Sequence, residues 1–374
     1  MSSGGIHTDR IDALLARAHR EIDEGLLPSC QVVLARDGEV VVAEAFGDAT
    51  LDTRYNVFSA TKPFVAGVMW CLIGEGRVDP AERVATLVPE FGTEGKAVVT
   101  IEQVMLHTSG FPSAPLGAPR WSDRASRLAA FARWRLNWEP GTRYEYHPTS
   151  AHWVLAEIIE RVTGTDYRDV VQARITDPLG LPRVLGMAPD DTDVAALEVR
   201  GEPATAAELR DAFGVDELPA TEVTDAALLA YNDPLTRAVG VPGGGGVMRA
   251  LDLALFYQGL LHDRDGIWDP AVLVDVTTHV RNRLPDPLLG VPANRTLGLV
   301  VAGDDGKASL RGFGHTCSPV AFGHNGAAGQ IAWADPATGL SFAYVTNGID
   351  TNVVRQPRRG IALSSLAATC VDPR

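Results

Sequence analysis

Lysine is nearly absent from this chain. Lys62, Lys96 and Lys307 are its only three, so the other thirty of its 33 basic residues are arginine. Basic charge is also short overall, with 33 Lys and Arg against 47 Asp and Glu, a net charge of −14 at pH 7 and a pI near 5.1. That balance argues against nucleic acid or an anionic membrane surface as partner. It equally disfavours a strongly anionic substrate, unless arginines are concentrated locally. The four cysteines, Cys30, Cys71, Cys317 and Cys370, are scattered without a CxxC or a metal-like spacing. Buried free thiols in a reducing cytoplasm are therefore expected, with no metal. Neither HExxH nor G-x-S-x-G occurs, which leaves a metal-dependent hydrolase and an α/β-hydrolase elbow without support. The longest apolar run, Phe64 to Gly74, is too short to span a bilayer and reads as a buried helix. Met1-Ser2-Ser3-Gly4-Gly5 shows no basic n-region and leads into no apolar segment, so no secretory signal is read and a cytoplasmic location is expected.

What is present is an ordinary soluble globular composition, 45% hydrophobic and 21% charged, over 374 residues. That length predicts two packed lobes. Residues 9–25 read as an amphipathic helix, with Asp9 as its cap and Ile11, Leu14, Leu15, Ala18 and Ile22 on one face. Two β-branched runs, 31–36 and 39–44, flank Asp37-Gly38 and predict an antiparallel hairpin. Near the C-terminus, 329–333 and 340–346 read as strands around a turn at 335–339, with a closing helix after Pro357. Helical patterns lie between, clearest at 101–107, 122–135, 149–163, 166–175 and 250–262. Segment 184–242 is irregular, acidic and proline-bearing, and predicts long loops with short helices that shape a site. The expected class is α+β, an antiparallel sheet built from both termini, flanked by helices and interrupted by a mostly helical lobe. Residues 1–75 plus 285–374 form one expected lobe and 76–284 the other, with the active site between them.

One scarce lysine stands three residues after a serine, in Ser59-Ala60-Thr61-Lys62-Pro63. At that spacing, on the first turn of a helix, the amine and the hydroxyl share a face, the arrangement of a Ser-Lys nucleophile. With so few lysines, chance produces such a match in roughly one chain in ten, so the pair is only suggestive alone. Pro63 fits a helix's first turn, and Ser59 at a helix N-terminus would have N–H groups and the dipole to stabilise an anion. Lys62, buried among apolar neighbours, would have a lowered pKa and act as a neutral base. A second segment, Pro140-Gly141-Thr142-Arg143-Tyr144-Glu145-Tyr146-His147-Pro148, offers Tyr146 as a proton relay. A third, Phe322-Gly323-His324-Asn325-Gly326-Ala327, sets a polar side chain beside glycines that let substrate approach the backbone.

Together these segments resemble the serine β-lactamase and penicillin-binding-protein superfamily, in particular its class C-like serine hydrolases, including family VIII carboxylesterases. Leu106 to Phe111, Pro140 to Arg143, Asp177 to Leu181 and Gly243 to Asp252 extend the resemblance over nearly the whole chain. It implies a β-lactamase/transpeptidase-like fold, with Ser59 and Lys62 as the S-x-x-K pair and Tyr146 as the second-motif tyrosine. His324-Asn325-Gly326 would be the third motif, and the N–H groups of Ser59 and Ala327 the oxyanion hole. Two departures narrow the chemistry. Tyr146-His147-Pro148 lacks the amide of Tyr-x-Asn, and His324 stands where many β-lactam-active members carry lysine. The expected activity is therefore a carboxylesterase on small or short-chain esters through an acyl-enzyme, without cofactor. A D-amino-acid peptidase or amidase comes next, then an acyltransferase, with β-lactamase a minor reading. A catalytically silent binding protein on the same scaffold is last.

Plainer readings stand beside these. Ser59 and Lys62 would otherwise be a capping serine and a surface lysine, Tyr146 a structural tyrosine, and His324 a histidine bonded to a carbonyl. His107 and Ser109 suggest a Ser-His pair but are expected to stabilise a loop, and His147 and His152 are expected to be structural. Gly243 to Gly246 is followed by no Gly-Lys-Ser/Thr, so it reads as a turn leaving room beside the site and not as a phosphate loop.

Overall fold

The computed structural model describes residues 5–191, 193–217 and 223–374. The reading of residues 1–4, and of Thr192 and 218–222 within the 184–242 segment, lies outside the described residues. The expected N-terminal helix is present as α1, Thr8–Asp23, with Ile11, Leu14 and Ala18 buried. Its cap position is His7, and Asp9 lies inside the first turn, where a carboxylate still favours the helix dipole.

The hairpin follows as β1, Ser29–Arg36, and β2, Glu39–Gly47. Asp37 and Gly38 both take positive φ, 57° and 84°, the geometry that lets a two-residue turn match the twist of its strands. The described residues hold eight further strands: β3 (Tyr55–Phe58), β4 (Glu198–Arg200), β5 (Gly246–Met248), β6 (Val300–Val301), β7 (Phe322–Gly323), β8 (Ile331–Asp335), β9 (Leu340–Thr346) and β10 (Gly348–Asp350). A six-stranded antiparallel sheet runs β2-β1-β9-β8-β7-β6, so strands from both ends of the chain meet where β1 pairs with β9. The fold is thus α+β with an antiparallel sheet, as expected. The small pairs β3–β5 and β10–β4 tie the intervening segment back to the sheet strands' neighbours.

Both faces of β1 are buried. Val33 and Ala35 join a core with Phe64, Trp70 and Phe256, while Val32 and Leu34 join a second with Leu14, Trp333, Phe342 and Leu363. The alternation is the two-residue period of a strand covered on both sides. On the first face lies α2, Lys62–Gly74, buried from Lys62 through Leu72. Its apolar perimeter explains why the longest apolar run of the sequence is a core helix. The helix Ala250–His262 packs beside it, stacking Phe256 on Phe64 at 4.0 Å.

The second face is covered by α1 and the closing helix Arg355–Ala368. That helix starts two residues before Pro357. A proline in the first turn forfeits only an N–H that has no intrahelical partner. There Arg359, 1% exposed, bridges Glu21 Oε2 at 2.7 Å and Asp350 Oδ2 at 2.5 Å, joining α1, β10 and the closing helix. Helices at Ile101–Met105, Arg124–Phe131, Ser150–Thr163 and Tyr167–Val171 fill the middle of the chain, generally shorter than the patterns predicted. The described parts of 184–242 carry three short helices, Ala206–Phe213, Asp225–Leu229 and Pro234–Val239.

Candidate active site

Ser59 sits at the junction of strand and helix. Strand β3 pairs with β5, then breaks into a tight turn, Ser59–Thr61, that runs into α2 with Pro63 in its first turn. Phe58, just before the serine, has φ 47° and ψ −128°, a conformation costing on the order of 1–3 kcal/mol for a residue with a side chain. Its surroundings hold it there. Thr61 Oγ1 donates to the Phe58 carbonyl at 2.5 Å and accepts from the Gly246 N–H at 2.8 Å. The Tyr231 ring meets Phe58 edge-on at 5.6 Å. The sharp reversal leaves the serine hydroxyl at the helix start and not within the strand.

Lys62 is completely buried, and its Nζ has three neighbours: Ser59 Oγ at 3.2 Å, the Pro148 carbonyl at 2.7 Å and the Gly243 carbonyl at 2.5 Å. Burial, and secondarily the positive charge of Arg295, hold its pKa well below the usual lysine value. A neutral amine has two N–H groups and one lone pair. With the two carbonyls taking N–H groups, a neutral amine would turn its lone pair to the Ser59 hydroxyl. A side chain at Gly243 would crowd this approach, since a Cβ there would lie 3.0 Å from the Pro148 carbonyl and 3.3 Å from Nζ.

Tyr146 faces the same space. Lys62 Nζ lies 5.0 Å from its ring centroid, and its hydroxyl is buried beside Ser59. Burial pushes its pKa up, opposed by the charge of Arg295 and by the Ser59 hydroxyl, so the phenol is protonated at rest. His324 is buried as well, with its ring 6.0 Å from that of Tyr146. Its Nε2 lies 3.4 Å from Arg295 Nη1 and its Nδ1 2.9 Å from the Asn325 carbonyl. A guanidinium only donates, so Nε2 accepts and Nδ1–H donates, which assigns a neutral imidazole. Burial first, then the charge of Arg295, pushes the His324 pKa well down, consistent with that state.

The rest of the third motif acts through its backbone. The Asn325 amide is committed to the turn, accepting from the Ala332 N–H at 3.0 Å and donating to the Gly312 carbonyl at 3.3 Å. Gly326 packs so closely on β3 that a Cβ would come 2.2 Å from the Val57 carbonyl. Ala327 opens a tight turn, Ala327–Gly329, as Ser59 opens its own, so each N–H is of the kind left unpaired at a helix start.

A Ser-His contact does occur, between Ser109 Oγ and His147 Nε2 at 3.1 Å, not between Ser109 and His107. His147 Nε2 also accepts from the Phe111 N–H, and His107 Nδ1 accepts from the His147 N–H, both at 3.2 Å. These buried rings clasp the 107–111 loop to the Tyr146 segment. Sequence reasoning missed the carbonyls of Pro148 and Gly243, which any residue type could supply. It also missed Arg295, one of thirty arginines. Among the described residues no cluster of three His, Cys, Asp or Glu side chains is arranged to hold a metal ion, and no helix is long and apolar enough to cross a membrane.

Comparison with known proteins bears on the family and the fold. The family model described as Beta-lactamase matches residues 11–366. Esterase/beta-lactamase LipL of Mycobacterium tuberculosis (strain ATCC 25618 / H37Rv) is 30% identical over 328 residues, covering 83% of this chain and 72% of that protein. Two solved structures superpose over 98% of this chain and 99% of their own. One is a penicillin-binding protein homolog from Caulobacter crescentus, at TM-score 0.78 and 26% identity. The other is a family VIII carboxylesterase, at TM-score 0.77 and 27% identity.

Proposed function

Because the chain belongs to the beta-lactamase family and is a serine hydrolase of that superfamily, we propose that it is a carboxylesterase acting on small or short-chain esters through an acyl-enzyme. The observation that carries the reading is the buried Lys62 amine, held between two carbonyls with Ser59 Oγ 3.2 Å away. Ser59 Oγ attacks the ester carbonyl while its proton passes to Lys62 Nζ. The Ser59 and Ala327 N–H groups hold the oxyanion. Tyr146 gives its proton to the leaving alkoxide and recovers one from the Lys62 ammonium, closing the proton balance. Water then adds to the acyl-enzyme by the reverse relay and releases the acid.

In this reading the site lies between the lobe of residues 1–75 and 285–374 and the helical lobe of 76–284. Esters are favoured over β-lactams because Tyr146-His147-Pro148 offers no amide and His324 is a neutral ring where a lysine would be charged. The esterase names of LipL and the family VIII enzyme support the same choice. A peptidase is the second reading, favoured by the penicillin-binding protein homolog. The test is labelling with a fluorophosphonate probe, together with turnover of short-chain p-nitrophenyl esters and a chromogenic cephalosporin. Labelling should vanish in Ser59→Ala, and the esters should turn over far faster than the cephalosporin. Labelling that survives the substitution removes Ser59 as nucleophile, and the reverse substrate ranking replaces esterase by β-lactamase.

A further inference from the structure

Arg295 is 8% exposed and among the described residues forms no ion pair with a carboxylate. Its backbone is fixed on both sides: its N–H donates to the Asn282 carbonyl at 3.0 Å, and its own carbonyl accepts from the N–H groups of Arg281 and Asn282 at 2.9 and 3.0 Å. The guanidinium is held equally firmly. Nε donates to the Tyr144 hydroxyl at 2.8 Å and Nη1 to His324 Nε2 at 3.4 Å, while its centre lies 5.1 Å from the Tyr146 ring centroid. Burying a cation without a counter-ion is costly. Here one of the neighbours, Tyr146, is a proposed reacting group.

We propose that Arg295 is the positioning residue of this site, a fixed charge that keeps Lys62 a neutral base and is placed to stabilise the Tyr146 phenolate formed when the leaving group is protonated. The inference rests on the Ser59–Lys62–Tyr146 reading above.

The titratable groups facing Lys62 bear this out by what they lack. Tyr146 comes from the second-motif loop, His107 from the turn after Ile101–Met105 with His147 beside it, His152 from the helix Ser150–Thr163, and His324 directly after β7. None is a carboxylate. Burial leads, and Arg295 adds, in pushing down the pKa values of Lys62 and of all four histidines. With those rings neutral, Arg295 is the standing charge of the pocket, and its field acts on both ends of the proton relay. It disfavours the Lys62 ammonium and favours the phenolate. His324 serves this arrangement as the acceptor that fixes one arm of the guanidinium.

The test separates charge from hydrogen bonding by comparing Arg295→Gln, which keeps N–H donors without charge, with Arg295→Lys, which keeps the charge without the fork. The readout is the pH profile of kcat/KM on a neutral p-nitrophenyl ester, with fluorophosphonate labelling and thermal unfolding recorded in parallel. Loss of the charge lets Lys62 hold its proton to higher pH, so the acid limb of Arg295→Gln should move up by about one unit, a tenfold loss at any pH on the limb. The limb of Arg295→Lys should stay with the parent. An unmoved limb in Arg295→Gln, or equal limbs in the two variants, overturns the inference. A loss confined to carboxylate-bearing esters with the limb unmoved also overturns it and makes Arg295 a substrate anchor instead. Labelling that no longer depends on Ser59 would instead fail the underlying reading, so the two failures are distinguishable.

Discussion

Two of the three lysines are buried, and they are bound in nearly the same way. Lys62 Nζ donates to the Pro148 and Gly243 carbonyls, and Lys96 Nζ to those of Thr93 and Trp134. Each lies near an aromatic ring, Tyr146 at 5.0 Å and Phe91 at 5.5 Å, and burial lowers the pKa of both. The differences are in what else is present. Lys96 has the Glu94 charge pulling its pKa back up and no hydroxyl as a third partner. Lys62 has Ser59 as its third partner and a second cation, Arg295, pushing the same way as burial. Two carbonyls around a buried lysine make a structural clip, and in the proposed mechanism the third neighbour turns that clip into a base. Arg359 marks the opposite limit, a buried cation paired with two carboxylates.

The comparison breaks first at Lys62. Lys62→Met should lower kcat/KM by about 10²–10⁴-fold, the range for losing a general base, as measured on a short-chain p-nitrophenyl ester. The same variant should unfold at higher temperature. The folded pKa of Lys62 lies below its ordinary 10.5. Between those two values the unfolded chain binds a proton that the folded chain does not, so the native residue costs stability that is recovered as pH rises toward 10.5. Normal turnover, or a lower melting temperature, would count against this account of the site. Next in size is Arg359→Met, which removes one arginine from each of two buried carboxylates and leaves Glu21 with Arg17 alone and Asp350 with Arg355 alone. It should cost about 1–3 kcal/mol in denaturant unfolding while leaving the pH profile of the remaining folded enzyme unchanged. The smallest effect is expected from Lys96→Met, with kcat/KM within about twofold of the parent. A large loss there would erase the distinction between the two lysines.

The sequence exposed the parts of this site that depend on residue type. Scarcity made Lys62 visible, Pro63 marked a helix start, and Asp37-Gly38 announced a turn that only positive φ can make. The sheet from both termini followed from period-two runs on either side of such turns. What it hid depends on backbone or on tertiary approach. The carbonyls of Pro148 and Gly243 carry no side-chain label. Strands β3 and β5 are too short to show a period, and the strained Phe58 is held by Thr61, Gly246 and Tyr231, which meet only in the fold. Arg295 was invisible for the opposite reason to Lys62, being one of thirty of its kind. Its position in the pocket is the local concentration of arginine that the net charge of −14 left open.

The most direct test of the central claim, that Lys62 is the neutral base for Ser59, is the rate of fluorophosphonate labelling of Ser59 as a function of pH. The account predicts that the rate rises through an acid limb and levels off well below the ordinary lysine value of 10.5, with Lys62→Met losing that limb. A rate that keeps climbing up to 10.5, or a limb that survives in Lys62→Met, would contradict it.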